Sequence, residues 1–364
     1  MSKILLTADQ HIHPHSGSLT KLNDSLAAFE WVFKVAEEKG ITRVLSLGDL
    51  FHDRQKIHTL AYQRAYEILA QAEERGIRTY LLLGNHDMYL RESYAINSLK
   101  PLESVAQLIT EPATVEIEGL DIDMVPYVED ARSQLPSMFP VKNRSRVMCG
   151  HLAVAGGIMN RIWGTQYSHE VSDELSEQAP TPKEVDPGCF EGYEKVFLGH
   201  FHSRQCLKDD ERINYIGSPL QINFGDAQDP RGISILDTDT LDLEFIENTF
   251  SPRYFILPHD SDLKDEQLRG AHVRIVAPSD LGGSDLIELK QKFAESSGAH
   301  SVEILTSRST KTQAVEEALG ESIVFTEDRA ELLERYLEAV EIPEGLDKKR
   351  LLQIGVELTQ TLTE

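Results

Sequence analysis

Residues 43–54 read Arg43-Val44-Leu45-Ser46-Leu47-Gly48-Asp49-Leu50-Phe51-His52-Asp53-Arg54. A short strand-like run meets a glycine, and an acid and a histidine follow. The glycine lets the backbone turn sharply where a strand ends. Side chains just past the C-terminal ends of strands in an α/β sheet converge on one crevice. Four other places repeat the arrangement. Asp9-Gln10-His11 follows residues 4–7, Gly84-Asn85-His86-Asp87 follows 79–83, Gly150-His151 follows 146–149, and Gly199-His200-Phe201-His202 follows 195–198. One such cluster is weak, because Gly, Asn and Asp are ordinary turn residues. Five in order, each after an expected strand, point to one site.

Outward from these clusters, strands alternate with helices. Residues 19–39 carry Leu22, Leu26, Phe29, Phe33 and Ala36 at helical spacing, and Gly40 follows as a C-terminal stop. Residues 60–74 form a second predicted helix. This βαβα front predicts a parallel sheet, and the strand-rich back (114–125, 213–216, 232–236, 241–246) predicts antiparallel additions. The expected fold is α/β, with two sheets or one mixed sheet covered by helices. Residues 156–194 hold Gly156-Gly157, Pro180, Pro182 and Pro187 without a clear strand. A loop of that length inside a compact domain is more often functional than idle.

From about residue 258 the pattern changes. Strands at 272–277 and 301–305 flank a helix at 285–296, a small separate βαβ unit. Thr326 then caps a helix with Leu332, Leu333, Tyr336, Leu337 and Val340 on one face. Ile342-Pro343-Glu344-Gly345 breaks it, and a last helix carries Leu351, Leu352, Val356, Leu358 and Leu362. These helices either pack on their own domain or dock a helical partner. The expected domains are residues 1–255, 256–325 and 326–364.

The 364 residues include 60 acidic and 36 basic side chains, a net charge of −24. That argues against a simple basic nucleic-acid module and against a polybasic membrane anchor. No apolar run approaches the roughly 20 residues of a membrane helix, and the N-terminus reads as a first strand, not a signal peptide. Cys149, Cys189 and Cys206 form no Cys-x-x-Cys pair. Scattered thiols of this kind fit a reducing cytoplasm better than a disulfide framework.

The clusters supply a coherent donor set: the carboxylates of Asp9 and Asp49, the amide oxygen of Asn85, and the imidazoles of His11, His151, His200 and His202. If one carboxylate bridges, these donors hold two ions. Two ions about 4 Å apart clamp a phosphoryl group and activate water at neutral pH. Mixed imidazole and oxygen donors suit manganese, iron or zinc better than magnesium or calcium. Asp-x-His spacing selects His11 from His11, His13 and His15; the other two are loop histidines, spare ligands or substrate contacts.

In order and orientation these motifs resemble the calcineurin-like metallophosphoesterase superfamily. The resemblance implies a four-layer α-β-β-α sandwich metallophosphoesterase domain with a dinuclear site, a small α/β capping domain and C-terminal helices. The stretch Gly48–Arg54 resembles the second motif of SbcD-type DNA double-strand-break repair nucleases. Ile216-Gly217-Ser218-Pro219-Leu220-Gln221-Ile222-Asn223-Phe224-Gly225-Asp226 is similar to their stretch after the last histidine pair, with Asp226 where Glu is common. Asp229-Pro230-Arg231-Gly232 is similar to the phage recombination nucleases of this family.

The resemblance implies that one ion takes Asp9, His11, Asp49 and His202, and the other Asp49, Asn85, His151 and His200. It implies that His86 is the catalytic histidine, that His52 orients it, and that Asp87 fixes His86 or its loop. The ions are expected to be manganese, with magnesium, iron or zinc as alternatives. The implied activity is a 3′-to-5′ exonuclease on duplex ends and an endonuclease on single strands. The implied partners are DNA, an SMC-like coiled-coil ATPase of the SbcC type clasped by the terminal helices, and a second copy of the chain. The dimer is expected to form through helices near the second and third motifs, with 60–74 and 91–99 as candidates. The expected compartment is the cytoplasm of a bacterium or a phage-infected host. Phosphatase or cyclic-nucleotide phosphodiesterase action is the alternative on the same centre.

Arg54, Lys56, Arg91, Arg161 and Arg204 lie beside or between the motifs as candidate DNA contacts. The acid excess is spread along the chain, 38 against 24 over residues 1–258 and 22 against 12 beyond. It therefore excludes only a broad cationic surface that binds by counterion release. A weak, metal-dependent hold on DNA is expected instead.

Overall fold

The computed structural model describes residues 2–90, 92–158, 184–261, 268–278, 281–306 and 350. Two compact units are present. The first comprises Met1–Ile256, Asp262–Arg274 and Ser296–Val302; the second comprises Leu257–Ser261, Ile275–Glu295 and Glu303–Glu364.

The first unit is built on two six-stranded sheets. Sheet one uses β1 (Lys3–Thr7), β2 (Arg43–Ser46), β3 (Arg78–Leu82), β6 (Gln107–Ile109), β13 (Gly232–Asp237) and β14 (Leu243–Glu247), in the order β14-β13-β1-β2-β3-β6. Sheet two uses β7 (Ala113–Ile117), β8 (Leu120–Val125), β9 (Val147–His151), β10 (Lys195–Gly199), β11 (Gln205–Leu207) and β12 (Asp210–Tyr215), in the order β11-β12-β10-β9-β8-β7. Each sheet has a parallel centre: β1 with β2, β3 and β6 in one, β8 with β9, β10 and β12 in the other. Antiparallel strands close the β14 edge of sheet one and both edges of sheet two, while the other edge of sheet one is the parallel strand β6. The sequence left one mixed sheet or two sheets open, and there are two.

Strand alternation sorts the core into layers. Leu5, Val44 and Leu81 join the cluster under the two long helices, α1 (Leu19–Glu38) and α2 (Thr59–Glu74). Their neighbours Ile4, Leu6, Leu45, Tyr80 and Leu82 face the other way, into a core shared with Ile122, Met124, Val147, Cys149 and Phe197 of sheet two. The reverse faces of sheet two, Val125, Met148, Val196 and Leu198, pack with Ala131 and Leu135 of α3 (Ala131–Met138). Helix, sheet, sheet and helix follow in order, the four-layer sandwich. Fully burying a Leu or Phe side chain stabilises by about 1.5–3 kcal/mol, so the three clusters fix the sheets whose ends carry the polar residues.

Local signals set the helix ends. The Ser18 hydroxyl oxygen accepts from Lys21 N at 3.3 Å. Gly40 (φ 67°) ends α1, with Ile41 N donating to Ala36 O at 2.8 Å. That left-handed stop suits a residue without a Cβ.

Two expectations need correction, and one helix was missed. Residues 114–125 are a hairpin and not one strand, because Glu118 (φ 54°) and Gly119 (φ 78°) turn between β7 and β8. Two left-handed residues in succession make the tight turn that matches strand twist. Residues 91–99 are not a helix: Ser93–Asn97 is β5, paired antiparallel with β4 (Met88–Leu90). Residues 131–138, read as no element, form α3 despite Pro136 inside it.

A three-stranded sheet contains β15 (Tyr254–Pro258), β16 (His272–Ala277) and β17 (Ser301–Thr306) in that order, with α4 (Gly283–Ser297) between the last two in sequence. The segment expected to form the terminal helices lies outside the described residues except Arg350. No described helix is long and apolar enough to cross a membrane.

Candidate metal centre

The five clusters emerge from the C-terminal ends of β1, β2, β3, β9 and β10. Short backbone bonds lock the emerging loops together. Asp9 N donates to Gly48 O at 3.0 Å, and His11 N to Asp49 O at 3.0 Å. The His151 Nδ1–H donates across the two sheets to Leu47 O at 2.7 Å, which leaves Nε2 facing the crevice.

Four of these residues hold left-handed backbone: Asp9 (φ 53°), His11 (φ 44°), Asp49 (φ 56°) and His200 (φ 96°). Each costs on the order of 1–3 kcal/mol in a residue with a Cβ, and such strain gathers at functional sites. Two glycines make room. A Cβ on Gly84 would collide with Asp49, and one on Gly199 with Leu47 O. Gly199→Ala is therefore expected to destabilise the chain by roughly 1–3 kcal/mol. A urea midpoint equal to that of the unsubstituted chain would show that the approach is not constrained.

The donors gather in groups. Asp9, His11 and His202 bring one ligand atom each within 4.8 Å of one another, and so do Asp49, His151 and His200. His11 Nε2 and His202 Nε2 are 3.0 Å apart. Asn85 Oδ1 lies 3.0 Å from His151 Nε2 and 2.9 Å from His200 Nδ1. Asp49 Oδ2 sits between the groups, 3.7 Å from His11 Nε2 and 3.2 Å from His151 Nε2. Its Oδ1 accepts from His86 N at 2.8 Å. A third group, His11, His52 and His86, is also close enough to chelate.

The electrostatics fit a cation. Burial raises the Asp9 carboxyl to about 7; the Asp49 carboxylate adds to this and His151 opposes it. Burial also works against an ionised Asp49, but His151 and His11 outweigh it and hold the group well below its usual range. Burial would lower His151, yet the Asp49 and Asp9 carboxylates lift it to about 9. A proton on His151 thus does part of a metal ion's work beside two buried acids. Burial and neighbouring imidazoles push His11 well down and His200 to about 3, and burial lowers His202. Neutral imidazoles are the ligating form, and ions that enter displace the remaining protons.

His86 Nδ1–H donates to the His52 carbonyl at 2.5 Å. The two rings stack at 5.3 Å and 16°, so His52 holds His86 by its backbone as well as its ring. Asp87 does not reach the His86 ring: its oxygens accept from Asp49 N (2.9 Å), Gly84 N (3.0 Å), Phe51 N (3.3 Å) and Ser98 Oγ (3.3 Å). These bonds tie the loops after β2 and β3 to each other. His13 and His15 stay outside the metal groups, with rings 5.3 and 4.7 Å from His52.

Among the expected DNA contacts, half-buried Arg54 and exposed Lys56 lie in the loop after His52. Arg204 is exposed, with its guanidinium 4.5 Å over the Phe245 ring. Arg91 and Arg161 lie outside the described residues. Two features escaped the sequence reading. Tyr127 lies just past the end of β8, with its ring 6.1 Å from that of His200. Its place beyond a strand end is the signal that could have found it, but its cluster has neither Gly nor His. The second is a buried ion cluster at Asp226, Asp229 and Arg231, where no periodicity marks burial.

The profile of the family described as calcineurin-like phosphoesterase matches residues 2–204. Exonuclease subunit 1 of Enterobacteria phage T4 is 23% identical over 370 residues, spanning 100% of both chains. The D subunit of nuclease SbcCD from Staphylococcus saprophyticus is 30% identical over 263 residues, 65% of each chain. DNA double-strand break repair protein Mre11 of Haloferax volcanii is 24% identical over 283 residues, 76% of this chain and 58% of its own.

Proposed function

The chain belongs to the calcineurin-like phosphoesterase family, and from that premise we propose that it is a two-metal DNA nuclease acting in double-strand-break repair and recombination. The observation that carries the reading is the convergence of seven donor side chains in two groups, with Asp49 Oδ2 between them. The full-length match to a phage exonuclease subunit supports DNA as the substrate.

Asp9, His11, Asp49 and His202 would hold one ion, and Asp49, Asn85, His151 and His200 the other. Manganese suits this mixed set. When bound, the ions supply positive charge to the scissile phosphate and lower the pKa of the attacking water. The protein does the rest. Its strained loops fix the donors before substrate arrives. His86 keeps its Nδ1–H in a hydrogen bond to the His52 carbonyl, so its imidazolium form gives up the Nε2 proton to the leaving 3′ oxygen as general acid. Asp87 keeps the second and third motifs in register through Asp49 N and Gly84 N.

In this reading the chain removes nucleotides 3′ to 5′ from duplex ends and cuts single strands, as the nuclease subunit beside an SMC-like ATPase of the SbcC type in the cytoplasm. Residues 326–364 clasp that partner, residues 256–325 cap the nuclease domain, and Arg54, Lys56, Arg91, Arg161 and Arg204 supply local DNA contacts. A second copy covers the exposed apolar side chains Leu60 and Tyr66 of α2 and Tyr89, Leu90 and Ile96 of the β4–β5 hairpin.

The test is hydrolysis of end-labelled duplex and of single-stranded DNA with Mn²⁺, beside p-nitrophenyl phosphate. Cleavage of DNA in Mn²⁺ and none in EDTA is the expected result. Hydrolysis of p-nitrophenyl phosphate with both DNAs intact would assign the chain to phosphatases.

A further inference from the structure

We infer that the buried cluster of Arg231 with Asp226 and Asp229 positions His202 for one of the two ions, an inference that rests on the two-metal reading above. Arg231, Asp226 and Asp229 are each no more than 5% exposed. Arg231 Nη2 lies 2.6 Å from Asp226 Oδ1 and 3.2 Å from Asp229 Oδ2. Its Nε and Nη1 are buried with no acceptor among the described residues, so the guanidinium is committed to the two carboxylates. Two acids and one base leave a net negative charge in a water-poor region. Buried ion groups of this kind are weak stabilisers, and apolar side chains of similar volume often serve as well or better. Stability alone therefore does not account for the cluster.

Its links run to the loop that carries His202. Ser203 Oγ, one residue on from His202, donates to Asp229 Oδ2 at 2.5 Å. Ser218 N donates to the His202 carbonyl at 3.0 Å. Gly217 (φ 77°) packs so closely there that a Cβ would strike Arg204 N and His202 O. The far side is pinned in turn. Asp226 Oδ2 accepts from Ile222 N at 2.8 Å. Gln221 donates to Asp229 O at 2.7 Å and accepts from Tyr254 N at 2.6 Å. The cluster, through Ser203, and the neighbouring Gly217-Ser218 turn thus brace the peptide that follows His202. His200 is held differently: its backbone N donates to Asp9 Oδ1 and Oδ2 at 3.0 and 3.1 Å, and its Nδ1 meets Asn85 Oδ1. Asp226, Asp229 and Arg231 are positioning residues for the ion held by His202, not for the one held by His200.

Two substitutions separate positioning from folding. Ser203→Ala removes only the hydroxyl link. Asp229→Asn removes one charge and leaves Arg231 paired with Asp226. Mn²⁺ is titrated calorimetrically into the full chain, with the melting temperature in EDTA measured alongside. The unsubstituted chain is expected to bind two ions. In both variants one dissociation constant should rise roughly 10-fold or more, the scale for residues behind metal ligands, and the other should hold. The metal-free melting temperature of Ser203→Ala should barely move. Two unchanged constants in Ser203→Ala, or two that rise together, overturn the proposal, and Ser203→Ala decides if Asp229→Asn fails to fold. An unsubstituted chain that binds fewer than two Mn²⁺ ions overturns the two-metal reading itself, before any variant is compared, and the positioning proposal with it.

Discussion

Asp49→Asn is expected to lower phosphodiester hydrolysis by about 10³-fold or more. Asp49 Oδ2 stands between the two donor groups, 3.7 Å from His11 Nε2 and 3.2 Å from His151 Nε2. Removing its charge weakens both ion positions at once. Ion clamps of this kind contribute several kcal/mol to transition-state stabilisation, and each 1.36 kcal/mol is tenfold in rate. Asparagine keeps Oδ1 as the acceptor for His86 N, now 2.8 Å away, so the catalytic loop stays tethered. Hydrolysis of bis(p-nitrophenyl) phosphate over a Mn²⁺ titration checks the expectation. Activity within tenfold at saturating Mn²⁺ would mean that Asp49 does not bridge.

His86→Ser should behave differently. His86 belongs to neither of the two groups centred on Asp9 and Asp49, so two Mn²⁺ ions should still bind. Loss of a general acid costs about 10²–10⁴-fold, and DNA cleavage is expected to fall by that much. The fall depends on the leaving group. A deoxyribose 3′ oxygen needs a proton as it departs, whereas p-nitrophenolate leaves without one. Hydrolysis of bis(p-nitrophenyl) phosphate should therefore drop far less than DNA cleavage. Equal losses on the two substrates would rule out proton donation and leave His86 as a stabiliser of transition-state charge.

Much of this site was legible because its logic is local. Asp9, Asp49, Asn85, His151 and His200 each sit at or just past a strand end, and a strand end fixes where the next side chain goes. The layering was not legible in the same way: residues 4–6, 80–82 and 147–149 are apolar throughout because both faces of each sheet are buried, so only the family resemblance pointed to four layers. The features that escaped depend on long-range contacts or on a turn too short to stand out. Glu118-Gly119 splits a run that reads as one strand. The β4–β5 hairpin pairs residues whose apolar pattern also suits a helix. Asp226, Asp229 and Arg231 look like loop residues, and only the fold brings them into a buried cluster behind His202. The net charge of −24 is a similar case. Read alone it argues against nucleic acid, but beside two buried acids that call for cations it constrains only the manner of binding.

The most direct test is an anomalous difference map at the manganese edge from crystals grown with Mn²⁺. Two peaks about 4 Å apart are expected, one among Asp9, His11 and His202, the other among Asn85, His151 and His200, with Asp49 touching both. A single peak, or a peak held by His11, His52 and His86, would contradict a centre bridged by Asp49.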